Sequence, residues 1–178
     1  MANGRSVVDE GLLEMSLTRR VAAVPDVVFR AWIDPKELAE WWGPKGFTNP
    51  VCWADARVGG AILIHMQAPD GVVHLMTGRF VQIDWPHRLV FISAAIDDQG
   101  KPMFEVRNTV TFTQIVNGTE IALVAVVTKT TADAPRHLAG MSQGWSQSLD
   151  RLIALVCVNA DLTGRSYDAM ALATSGST

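Results

Sequence analysis

His65 and His74 flank a Pro69-Asp70-Gly71 reversal, and a histidine pair so placed is the first candidate for metal chemistry in this chain. With a loop of even length the two imidazoles face each other across neighbouring strands, within metal-ligand reach. A shift of one residue sends them to opposite faces of the sheet. Two histidines fall short of the three protein ligands that a catalytic zinc keeps, and no nearby Asp, Glu or Cys has the spacing to add a third. No metal site is therefore expected. His87, in a turn, and His137, just ahead of the last helix, read as surface residues. The chain has no Gly-x-Ser-x-Gly elbow, P-loop or dinucleotide fingerprint, because Gly59-Gly60 follows a turn and opens a strand rather than a helix. Asp55, Arg79, Gln82, Glu105 and Asn108 lie on or beside predicted strands, where burial is needed to turn a polar group into an acid or base. A lone polar residue on a strand more often orients a ligand or meets solvent, so no catalytic residue and no cofactor is assigned.

The elements that position these residues begin with the stretch from Pro25 to Pro44. It contains two short helices separated at Asp34-Pro35 and ends in the pair Trp41-Trp42. Pro25 suits a first helical turn, and a proline after Asp34 stops one helix and starts another. Two adjacent indoles carry more apolar surface than so short a helix hides alone, so they must lie against a core or a ligand cavity. Before this pair, residues 12–21 supply a first strand. After Pro50 the pattern is strand-like: residues 51–56, 61–67, 74–84, 88–95, 107–116 and 119–129. Asn117-Gly118 between the last two predicts a two-residue type I′ turn, which sets Val116 opposite Thr119, Phe112 opposite Leu123 and Val110 opposite Ala125 on one apolar face. Arg107, Thr109, Thr111 and Thr113 make the other face polar. Ile62, Ile64 and Met66 share one face of their strand, yet Ala61 and Leu63 leave the opposite face apolar too, which suits a homodimer contact.

From His137 onward Leu138, Met141, Trp145, Leu149, Leu152 and Val156 recur at three- and four-residue steps, predicting one amphipathic helix of about 20 residues. Pro135 precedes it and Asn159 stands near its end. A single domain over residues 12–159 is expected, with 1–11 and 160–178 as terminal extensions. Strand, two short helices, about six or seven antiparallel strands and one long helix make an α+β fold in which a curved sheet grips the C-terminal helix.

Composition narrows the function classes. The 178 residues are 48% hydrophobic with a formal charge of -3, and they form no basic tract of the kind that nucleic-acid phosphates demand. No signal-peptide run opens the chain, and no segment approaches the roughly 18 uninterrupted apolar residues needed to span a bilayer, so a cytoplasmic protein without membrane insertion is expected. Cys52 and Cys157, far apart, read as small buried hydrophobes rather than a disulfide pair.

Residues 25–32 (Pro-Asp-Val-Val-Phe-Arg-Ala-Trp), Trp41-Trp42-Gly43-Pro44, Gly59-Gly60, Pro69-Asp70-Gly71, Arg88-Leu89-Val90-Phe91 and Gly144-Trp145 with Leu149 and Leu152 resemble, in order, the activator of heat-shock protein 90 ATPase homologue family. The resemblance runs from about residue 12 to 158 and implies the START-like, birch-pollen-allergen-like helix-grip fold, in which the space between sheet and long helix usually holds an apolar small molecule. Many small bacterial members of that family have unassigned roles. If that cavity is present, Met66, Phe91, Phe112 and Leu123 face it from strands, Met141 and Trp145 from the helix, and Trp41, Trp42 and Phe47 guard an entrance. Met103, with Phe104 beside it, joins them after Gly100. Trp41, Trp42 and Trp145 are the leading candidates. The expected function is binding of a small hydrophobic or aromatic ligand. The alternative implied by the superfamily is a cyclase or dehydratase that holds a polyketide-like substrate folded. A co-chaperone role toward heat-shock protein 90 is less expected, because the eukaryotic activators carry a large additional N-terminal domain and only about a dozen residues precede the first strand here.

Overall fold

The computed structural model describes residues 5–9, 12–131 and 139–163. The predicted features at Pro135, His137, Leu138 and beyond Thr163 lie outside them. Strands β1 (Arg5–Asp9) and β2 (Leu12–Val21) are followed by helices α1 (Pro25–Ile33) and α2 (Pro35–Trp41). Then come β3 (Thr48–Ala54), β4 (Ala61–Gln67), β5 (Val73–Asp84), β6 (Arg88–Ile96), β7 (Pro102–Ile115), β8 (Gly118–Thr130) and the long helix α3 (Met141–Thr163). All strands join one antiparallel sheet in the order β1-β2-β8-β7-β6-β5-β4-β3. The α+β helix-grip architecture is as expected. The sheet has one strand more than the sequence suggested, because Arg5–Asp9, read as an extension, pairs with Leu12–Ser16.

Asp34 does the work of the helix break. Its peptide N–H closes α1 on the Arg30 carbonyl at 2.9 Å, and its carboxylate accepts the Lys36 and Glu37 N–H groups at 2.8 and 3.5 Å to cap α2. Pro35 then occupies the first helical turn, where no N–H is missed. Arg30 on α1 and Glu37 on α2 pair at 2.6 Å and hold the two helices together.

Register shifts at Thr48/Val51, Phe80/Gln82, Ala95/Ile96 and Glu105/Val106 bend the strands, which lets the sheet curl around its inner face. That face carries Leu17, Ile64, Phe80, Leu89, Phe91, Val110, Phe112, Ile121, Leu123 and Ala125, all buried. Helix α3 packs on α1, α2 and β2, and turns Leu149, Leu152, Val156 and Ala160 fully inward.

The β7–β8 register differs from the expected one by two residues. Val110 pairs with Leu123, Phe112 with Ile121, Gln114 with Thr119, and Ile115 with Gly118. The turn residues are Val116 and Asn117, neither of which has positive φ, and Val116 is 89% exposed rather than part of the apolar face. The type I′ turn is thus replaced because Gly118 is needed inside the ladder: a Cβ there would strike the Val21 carbonyl oxygen. A slip of two preserves which side chains face inward, so the predicted faces survive the error.

Candidate functional site

At the N-terminal end of α3 the helix stands away from the sheet and leaves a solvent-open cleft of about 310 Å³. The helix side is Gly140, Met141, Gly144, Trp145 and Ser148; the sheet side is Met66, Met76, Ser93, Ala95, Phe104 and Val106. Trp42, Gly43 and Pro44, from the segment after α2, form a third wall. The cause is local size. Along the inward face of β6, Leu89 and Phe91 fill the core, while Ser93 and Ala95 leave space. Opposite them, α3 presents Gly144, whose bare side faces Pro44.

The indoles form one connected group against this space. Trp145 stacks on Trp32 with ring centroids 6.0 Å apart and planes 20° apart, and meets Trp42 edge-on at 5.1 Å. Trp41 packs on Trp32 at 4.7 Å and on Trp42 at 5.5 Å, and its Nε1–H donates to the Ala31 carbonyl at 2.8 Å. Trp41 is therefore a fully buried wedge between α1 and α2 rather than a cleft residue.

Of the residues expected at the ligand, the structure brings Trp42, Met66, Met141 and Trp145 together on the cleft wall. Phe91, Phe112 and Leu123 face inward as predicted but deeper, in the closed core, at 2% exposure or less. Phe47 lies beside His74, ring centroids 6.0 Å apart, and neither it nor Met103 is on the wall. Phe104 does reach the cleft. Met76, Ser93, Ala95 and Val106 also line it, sharing strand parity with Met66 and Phe91, a signal that covers small inward residues as well as large ones; Ser148 joins them from the helix.

His65 pairs with Leu75 and His74 with Met66, so the histidines occupy opposite faces of the sheet and do not converge on a metal. Among the polar candidates, Asp55 pairs with Arg57 at 2.6 Å and Glu105 with Lys129 at 3.1 Å, while Arg79 and Gln82 are exposed. Asn108 alone among these five is fully buried. Its Nδ2 donates to Ser93 Oγ at 2.9 Å and to the Val106 carbonyl at 3.2 Å, and its Oδ1 has no partner within the protein. Cys52 and Cys157 are free and half-buried rather than fully buried.

The family model described as activator of Hsp90 ATPase homolog 1-like protein matches residues 22–156. The chain belongs to this family. The match covers both short helices, every strand from β3 to β8 and most of α3, so the cleft lies wholly within the family region. No curated protein matches the chain. Solved structures share its fold: a protein of Arthrobacter aurescens superposes with a TM-score of 0.74 at 24% identity, covering 85% of this chain and 90% of that one. A Mycobacterium smegmatis protein gives 0.73 at 25% identity, with 87% and 96% covered. A Chromobacterium violaceum protein gives 0.67 at 29% identity, with 81% and 97% covered. Among the described residues no helix is long and apolar enough to cross a membrane.

Proposed function

We propose that this family member binds a small, flat, apolar molecule in the cleft between the sheet and the start of α3, as a cytoplasmic binding protein. The supporting observation is the cleft itself. It opens to solvent, and Trp42, Trp145, Met66, Met76, Met141 and Phe104 make its walls from polarizable thioethers and ring faces. Sites of this kind start at about 300 Å³, which suits a ligand of one or two fused rings. Such an opening coexists with a filled core, since Leu149, Leu152 and Val156, further along the same helix, close the far end.

Removing an aromatic ligand of this size from water favours binding through buried area, and Trp145 supplies the ring face for it. Naphthalene titrated against intrinsic tryptophan emission should perturb the wild-type spectrum and leave that of Trp145→Ala much less changed. Native mass spectrometry of freshly purified protein should show a retained mass that names the ligand class. Emission unchanged across a panel of flat apolar compounds, with no retained mass, would overturn the proposal.

A further inference from the structure

We infer that the cleft selects flat apolar molecules carrying a neutral carbonyl group, a ketone, quinone or ester, which accepts the hydroxyl proton of Ser93. This rests on the cleft being a ligand site and adds what the ligand must present to it. Ser93 is half-buried on the cleft wall and shares the inward face of β6 with Phe91 and Ala95. Its cross-strand neighbours leave it uncovered: Gly78 on β5 puts no side chain beside it, and Val106 on β7 has an apolar one.

The protons decide what Ser93 has to offer. Asn108 Nδ2–H donates to Ser93 Oγ at 2.9 Å and also faces the Val106 carbonyl at 3.2 Å and the Phe91 carbonyl at 3.5 Å, so the end of the amide that meets Ser93 is its donor end. Ser93 is the acceptor in that bond, and its own proton meets no acceptor among the described residues. Asn108 Oδ1 does not take it, since that oxygen has no partner. Other polar groups of the wall are already engaged. Ser148 donates its proton to the Gly144 carbonyl at 2.8 Å, and the carbonyls of Trp42, Gly43 and Pro44 accept from Arg151 Nη1 at 3.2, 3.0 and 3.0 Å. An unspent donor among thioethers and ring faces asks for a neutral acceptor. A carbonyl oxygen satisfies it. An amine brings donors to carbonyls that Arg151 holds, and a carboxylate carries its charge in among apolar groups, where no described wall residue is a cation.

Equilibrium dialysis of 2-acetylnaphthalene and 2-isopropenylnaphthalene against the protein tests this, because the two share one shape and differ by a carbonyl oxygen in place of a methylene. The readout is the change in the ratio of their dissociation constants between wild type and variant, in which their different hydration cancels. Ser93→Ala should weaken 2-acetylnaphthalene about threefold to tenfold, the range for a net hydrogen bond, and leave 2-isopropenylnaphthalene within about twofold. Should Ser93→Ala lose its native circular dichroism, Ser93→Cys, a similar volume with a weaker donor, should shift the ratio in the same direction. A ratio unchanged in a folded Ser93 variant, whether both affinities hold or both fall, would overturn the carbonyl site and leave the cleft as a ligand site. Binding of neither compound to wild type would overturn both.

Discussion

Arg151, halfway along α3, donates Nη1 to the carbonyl oxygen of Trp42 at 3.2 Å and so ties the long helix to the opposite wall of the cleft. The same nitrogen meets the Gly43 and Pro44 carbonyls, each at 3.0 Å, and Nη2 meets that of Glu40 at 2.9 Å. Burial pushes the guanidinium below its ordinary pKa, with the Glu40 carboxylate pulling the other way, yet an arginine stays charged across the working range. Two further ties converge on the segment: the Lys45 N–H on Gln147 Oε1 at 3.0 Å, and Asn49 Nδ2 on the Trp42 carbonyl at 2.8 Å. Gly43, at φ 92°, makes the bend that turns these carbonyls toward Arg151. The wall is thus held in place before any ligand arrives, which reduces the ordering cost of binding.

Replacing Arg151 by Lys tests how far that wall depends on one planar fork. An ammonium is a point donor and cannot span carbonyls from Glu40 to Pro44 in fixed geometry. Arg151→Lys should lower stability by about 1.5–3 kcal/mol, the range for hydrogen bonds to a charged group, measured by urea unfolding. Naphthalene affinity should fall with it, because Trp42 is no longer held.

The β7–β8 turn yields a sharper contrast. Gly118→Ala puts a Cβ into the Val21 carbonyl oxygen, and backbone on backbone has no rotamer by which to escape. A loss of more than about 2 kcal/mol is expected, carried by the β2–β8 pairing. Val116→Asn, one residue before Asn117 and almost fully exposed, should change stability by less than about 0.5 kcal/mol. If the turn instead centred on Asn117-Gly118, Val116 would sit on the apolar face and Val116→Asn would be costly as well.

That turn also shows what the sequence can and cannot carry. Alternation along β7 and β8 put Val110, Phe112, Leu123 and Ala125 on the inner face whichever of two registers held, since both have the same parity. The choice between registers was made by a contact with Val21, roughly a hundred residues away in sequence, which a local turn rule cannot see. The cleft failed to show for a related reason. Large aromatic residues are the natural mark of a cleft in sequence, but Phe91, Phe112 and Trp41 are large because they fill the core. The opening sits where Ser93, Ala95 and Gly144 are small, and smallness on a strand or helix reads as ordinary until the two are laid face to face. Trp42 and Trp145 were legible because two indoles at an element's edge have nowhere else to go.

Cys52 offers a pH test. Burial of the thiol raises its pKa from an ordinary 9.0 to about 11. The folded state therefore holds a proton that the unfolded state releases between those values, so the contribution to stability is complete below pH 9 and lost as pH climbs toward 11. The urea midpoint of wild type should fall more steeply across that window than the midpoint of Cys52→Ala, which lacks the titrating group. Because the thiol is only half-buried, solvent screening keeps the difference small. Equal slopes in the two proteins would show that Cys52 is no more protonated folded than unfolded.

Filling the cleft separates its role from that of the core beneath it. Ala95 lies on the wall between Met76 on β5 and Phe104 on β7, its cross-strand partners, with open space in front of it. Ala95→Phe puts a ring into that space without displacing a packed neighbour, so the thermal midpoint should stay within about 4 °C of wild type. Affinity for naphthalene should drop by more than about tenfold, because the added ring takes the ligand's place. Phe112→Ala makes the opposite prediction. Its ring is packed against Phe29 at 4.9 Å and is 2% exposed, so truncation should cost about 3–5 kcal/mol of stability. The cleft wall itself does not include Phe112, so any Phe112→Ala protein that remains folded should bind naphthalene nearly as well as wild type. If Ala95→Phe bound naphthalene unchanged, the ligand would have to sit elsewhere.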